Sequence, residues 1–193
     1  MFGGTFDPIH NAHLQIGAAA VGKFSLDRVL FVPARNPPHK DPRGVTAYKH
    51  RFRMVEIACA SHPRFVASRL EEGSGPSYTV DTLERFRKQI GPKDRLFFLI
   101  GSDAFDDIES WNRWKDVVSL TEFIVVTRPG HDYRTPQHAR AHRLELLFPV
   151  SSSSIRTRLA EGAPTPELPP DVRAYIEANG LYGFGKETAT ALR

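Results

Sequence analysis

Two histidines three residues apart, His10 and His13, follow a glycine pair, Gly3-Gly4, and precede an apolar run that begins at Leu14. Glycines let a backbone pass close to a bulky anion with no Cβ in the way, and a turn entering a helix leaves unpaired amides for a phosphate. On a first helical turn that spacing puts both imidazoles on one face, beside the positive end of the macrodipole. Two neutral donors, or two cations, then converge on one polyphosphate. A related set lies far along the chain, where Ser151-Ser152-Ser153-Ser154 is followed by Ile155-Arg156 between a strand-like run and a helix. Hydroxyls, amino-terminal amides and a guanidinium make a second phosphate cradle. Alone, a glycine pair is usually a turn, a histidine usually surface and a serine run low complexity. Their joint occurrence favours polyphosphate chemistry.

The opening string, Gly3-Gly4-Thr5-Phe6-Asp7-Pro8-Ile9-His10-Asn11-Ala12-His13, resembles the H-x-G-H signature of the nucleotidyltransferase superfamily. In its longer form, G-G-T-F-D-P-x-H, it is similar to the bacterial nicotinate mononucleotide adenylyltransferases. Ala12 stands where that family usually has glycine, and its methyl group would crowd a nucleotide ring lying against the helix. Further matching motifs follow in order, so that the resemblance runs from Gly3 to Tyr182. It implies adenylyl transfer from ATP to nicotinate mononucleotide, with His10, His13 and Arg156 bearing the charge of the departing pyrophosphate. It also implies ATP contacts at Gly3, Gly4, Thr5, Phe6, Gly101, Asp103, Ser151, Ser152 and Ile155. Asn36, His39 and Lys40 from the P-P-H-K loop, Ser77, Tyr78 and Thr79 before a helix, and a stacking Trp111 would meet the mononucleotide. Mg²⁺ would arrive with ATP, since no carboxylate pair stands out to hold it.

The chain has 193 residues, of which 40% are hydrophobic and 25% charged, which suits a globular fold with a sizeable core. The expected division is one domain over 1–183 and a loose tail over 184–193. No apolar run is long enough to span a bilayer, and no charged segment followed by an apolar one suggests export. The lone Cys59 has no partner for an internal disulfide, so a reducing cytoplasm fits. A net charge of +4 favours an anionic partner without separating nucleotide from nucleic acid. Two competing functions therefore stay open. One is another nucleotidyltransferase of the same fold, acting on phosphopantetheine or glycerol phosphate; the other is a nucleic-acid-binding protein without catalysis. A homo-oligomer also stays open.

The elements that must position these residues read as α/β, a Rossmann-like doubly wound parallel sheet with helices on both faces. Only Met1 and Phe2 precede the glycine turn, so either the first strand is very short or the start lies upstream. Helices are expected over 14–24, 48–60, from 77 or 79 to about 89, from about 151, and over 171–178. Strands are expected over 28–32, within 64–70, over 96–100, over 123–126 and over 144–148. Ser77 or Thr79 is read as a helix N-cap. Trp111 and Trp114 are read as two positions of one helix, the second packing in the core. Arg128 reads as solvated, and the stretch 131–142, with three histidines at irregular spacing, as surface.

Overall fold

The computed structural model describes residues 1–37, 44–72, 75–147 and 149–184. Strands β1 (Phe2–Gly4), β2 (Val29–Pro33), β3 (Phe65–Ala67), β4 (Phe97–Gly101), β5 (Glu122–Thr127) and β6 (Ala141–Glu145) form one sheet in the order β3-β2-β1-β4-β5-β6. Every pairing is parallel. The central strands are apolar on both faces, as burial on both sides requires. Phe31, Leu99 and Ile124 point into one core, and Val32, Phe98, Ile100, Phe123 and Val125 into the other.

Four helices close the first core: α1 (Asn11–Phe24), α2 (Tyr48–Cys59), α6 (Ser152–Ala160) and α7 (Pro170–Ala178). The second is closed by α3 (Thr79–Arg87), α4 (Ser102–Asp106) and α5 (Trp114–Leu120). This is the doubly wound arrangement expected from the sequence. Chain order reverses between β1 and β4, and in such sheets the crevice beyond the strand carboxyl ends at that reversal takes the ligand. Helix α1 approaches closely because of Gly17: a Cβ there would stand 3.0 Å from the rings of both Phe31 and Phe65.

Several local expectations are corrected. Helix α1 starts at Asn11, three residues before the apolar run, because His10 serves as its extended N-cap. The last strand is Ala141–Glu145 and not 144–148; it is a sheet edge with only Leu144 buried, so it carries little apolar signal. Trp111 and Trp114 do not share a helix. Trp111 is extended after the 3₁₀ turn Ile108–Ser110, and Trp114 opens α5. The N-cap of α3 is Tyr78, with no side-chain cap bond from Ser77 or Thr79. Within the given sequence the first strand spans three residues, Phe2–Gly4. Of the expected tail only Phe184 lies within the described residues.

Candidate active site

The segment between β1 and α1 is held by a buried polar network. Phe6 adopts a left-handed φ of 49° and its ring fills the core, packed on Phe2, Phe31 and His13. Asp7 is also buried; its Oδ1 accepts from the Tyr182 hydroxyl at 2.7 Å and its Oδ2 from the Thr46 amide at 3.1 Å. Burial, more than the Asp7 charge, pushes the Tyr182 phenol far up, so it stays a donor. Arg51, 1% exposed, donates to the carbonyls of Thr46, Thr5 and Arg35. From α6, Arg156 donates to the Asp7 carbonyl at 2.8 Å and Ser152 to that of Pro8 at 3.0 Å. Distant parts of the chain thus fix one loop.

This loop delivers the two histidines. Their rings stack at 3.8 Å between centroids. The His10 amide donates to His13 Nδ1 at 3.2 Å, which leaves the neutral ring's proton on Nε2. Burial holds His10 down at about 4 against the pull of the Glu167 carboxylate, and it holds His13 well below the usual histidine range, with His10 adding to the effect. At neutral pH the pair is a set of uncharged donors.

Two cavities open at the carboxyl edge of the sheet. The first, about 450 Å³, is walled by His10, Ala12, His13, Gly101, Ser102, Asp103, Arg128, His131, Ser151 and Ser152. The second, about 580 Å³, is walled by Gly3, Gly4, Thr5, Glu71, Ser77, Tyr78, Thr79, Phe98 and Trp111. Trp111 stands edge-on to Phe98 at 6.3 Å. Of the residues singled out in the sequence, the first cavity gathers His10, His13, Gly101, Asp103, Ser151 and Ser152, and the second gathers Ser77, Tyr78, Thr79 and Trp111.

Gly3, Gly4 and Thr5, expected on the ATP side, line the second cavity. Both glycines are strand residues, and their missing Cβ atoms make room for aromatic rings: a Cβ would stand 3.3 Å from Phe98 at Gly3 and 2.9 Å from Phe6 at Gly4. Phe6 and Ile155, also expected at ATP, are core side chains, 2% and 0% exposed, so only their backbone can meet a ligand. Arg156 is half-buried and engaged by the loop carbonyl of Asp7 and by Ser153. Asn36 is a clasp: its amides reach Ser77 Oγ at 3.0 Å and the Gly75 carbonyl at 2.9 Å. His39 and Lys40 lie outside the described residues. Ala12 does face the first cavity, where its methyl narrows the wall.

Arg128 and His131 are exposed, as their reading as solvated and surface residues expects, and the turn after β5 also sets both in the wall of the first cavity. Sequence reading passed over Glu71, whose carboxyl burial pushes up while Ser77 and Thr82 hydroxyls oppose the shift. Among the described residues no group of three or more His, Cys, Asp or Glu side chains could hold a metal ion.

The family model for cytidylyltransferase-like proteins matches residues 1–158. A Solibacter usitatus protein named probable nicotinate-nucleotide adenylyltransferase is 50% identical, with 94% of this chain and 97% of that protein covered. The chain belongs to the nicotinate-nucleotide adenylyltransferase family. A Geobacillus thermodenitrificans member of the same name is 40% identical over 100% of this chain and 89% of its own. Among solved structures, the Plasmodium falciparum nicotinic acid mononucleotide adenylyltransferase complexed with NaAD superposes with a TM-score of 0.78 at 23% identity, covering 96% of this chain and 97% of that one. The same protein complexed with APC gives a TM-score of 0.77. Membership of an adenylyltransferase family suits a fold whose two cavities flank one histidine-bearing loop.

Proposed function

We propose that the chain transfers the adenylyl group of ATP to nicotinate mononucleotide, releasing pyrophosphate and forming nicotinate adenine dinucleotide. The observation that carries this reading is the pair of cavities on either side of the β1 loop, one presenting stacked histidines and a serine-capped helix, the other a tryptophan and a helix start. The first suits a triphosphate, the second an aromatic acid on ribose.

A phosphate oxygen of the mononucleotide attacks the α-phosphorus of ATP and the bond to the β-phosphate breaks, so no protein nucleophile takes part. Catalysis then rests on alignment and on donors aimed where charge develops. His13, its proton fixed on Nε2 by the bond at Nδ1, is one donor; His10 is the second. Arg156 steadies the loop that presents them and adds positive charge behind it. In the second cavity the free amides at the start of α3 fit a ring carboxylate, and the Trp111 face fits a pyridinium cation. Asp103 is the carboxylate of the first wall and suits a sugar or base donor. With no metal-ligating group of His, Cys, Asp or Glu side chains among the described residues, a Mg²⁺ would be held by the phosphates and would neutralise part of their charge.

The test is pyrophosphate release with ATP and a panel of acceptors: nicotinate mononucleotide, its amide counterpart, phosphopantetheine and glycerol phosphate. Release with nicotinate mononucleotide is expected. Release with phosphopantetheine alone would overturn the substrate, and binding of DNA without any release would overturn the class.

A further inference from the structure

The segment between α6 and α7 does more than connect them. Thr165 and Leu168 anchor it, at 1% and 4% exposure, and its backbone grips the first turn of α1. The Asn11 amide donates to the Glu167 carbonyl at 2.8 Å, and the Asn11 side chain to that of Pro166 at 3.3 Å. One Glu167 carboxylate oxygen, Oε1, pairs with Arg158 at 2.8 Å. The other, Oε2, is buried and has no hydrogen-bond partner among the described residues. The same is true of His10 Nδ1 on the adjoining turn. A buried acceptor or donor left unpaired is costly, so two of them on segments joined by the Asn11–Glu167 backbone bond call for a functional account.

We propose that Glu167 is a positioning residue for His10, its carboxylate held against the start of α1 so that it balances the charge His10 takes on when a triphosphate closes over Nε2. The proton comes from solvent and no substrate bond is broken in taking it up. This rests on the reading of His10 as a group that faces phosphate.

In the free protein burial keeps His10 neutral, at about 4, and Glu167 and His10 already feel each other's field. An opposite charge within about 4 to 6 Å shifts such a group by about 1 to 3 pH units toward its charged form. The Glu167 field is already present in the free protein, so a bound phosphate would raise the midpoint further, by about 1 to 3 pH units. Other groups near the ring set the balance. His13 stacks on it, Arg158 draws on the Glu167 charge, and Asp103, Arg128 and His131 share the cavity wall. Asp7 and Arg156 lie in and against the preceding loop.

The test is a ¹⁵N NMR titration of the His10 ring in the full chain with inorganic tripolyphosphate bound. Glu167→Gln keeps the backbone grip and removes the charge; it should lower the His10 midpoint by about 1 pH unit. Arg158→Gln removes the cation that competes for Glu167 and should raise it. Glu167→Asp should restore most of the wild-type value. Opposite signs in the first two variants support the assignment, because a merely structural disturbance moves both the same way. Shifts of one sign, or none, overturn it. Adenylyl transfer by the wild type is measured separately, so a failure of the functional reading is told apart from a failure of this one.

Discussion

Replacing Gly4 by alanine tests what the glycine pair is for. The new methyl would stand 2.9 Å from Phe6 Cζ and 3.1 and 3.2 Å from two further ring atoms. Phe6 has nowhere to go: it is 2% exposed, and its ring lies 5.6 Å from Phe2, 5.8 Å from Phe31 and 5.0 Å from His13, centroid to centroid. Overpacking of this kind costs about 1 to 3 kcal/mol. For a chain of this length each kcal/mol lowers Tm by about 2 to 4 °C, so calorimetry should show a loss on the order of 2 to 12 °C. Because Phe6 abuts His13, turnover should fall as well. Phe6→Leu in the same background relieves the clash, so a double-mutant cycle should show coupling between the two sites of about 1 kcal/mol or more. If Gly4→Ala instead leaves Tm unchanged and raises only the Michaelis constant for ATP, the glycine serves backbone approach to phosphate and the packing argument is wrong.

Acid should destabilise the protein through His10. Its folded value of about 4 lies below the ordinary 6.5, so the unfolded chain binds more protons between those limits. The contribution is complete above pH 6.5, drains away toward pH 4, and amounts to about 3 kcal/mol. Urea titrations from pH 7 to 4 should therefore show a shallower loss in His10→Gln than in the wild type. Arg51→Met should cost about 3 to 5 kcal/mol by denaturant unfolding, because it strips three loop carbonyls of their donor beside buried Asp7. Arg51→Lys should rescue little, since one ammonium does not reproduce the guanidinium fork. His13→Ala should cut kcat with little change in mononucleotide binding, whereas Trp111→Ala should chiefly raise the mononucleotide Michaelis constant; steady-state kinetics that show equal binding losses would count against both roles.

The sheet was readable because β2, β4 and β5 are dense apolar runs, which only a strand buried on both faces needs. Strand β6 was misplaced for the opposite reason. Its His142 and Arg143 belong to an edge that meets solvent and pairs with charge, His142 with Glu122 at 2.9 Å. The two histidines and the serine helix were legible because their spacing is local. Arg51 left a signal that went unused, an arginine four residues before Val55 and eight before Cys59 on the apolar stripe of α2. A charge at such a position is buried only when its donors are taken. The Asp7–Tyr182 and His10–Glu167 relations span most of the chain, and nothing local announces them. The turn after β5 marks Arg128 as a sheet-edge residue, but that it walls the first cavity follows from sheet order, which places β5 beside β4.

The hydroxyl of Tyr182 on Asp7 joins the last described turn of the chain to the loop that follows its first strand. Translation therefore delivers the six described strands well before the residue that locks this loop, and a nascent chain still tethered at the ribosome has a sheet without a finished candidate site. A chain stopped just before Tyr182 keeps α6 and α7 in the first core and should fold yet lose adenylyl transfer, whereas earlier stops also strip core side chains.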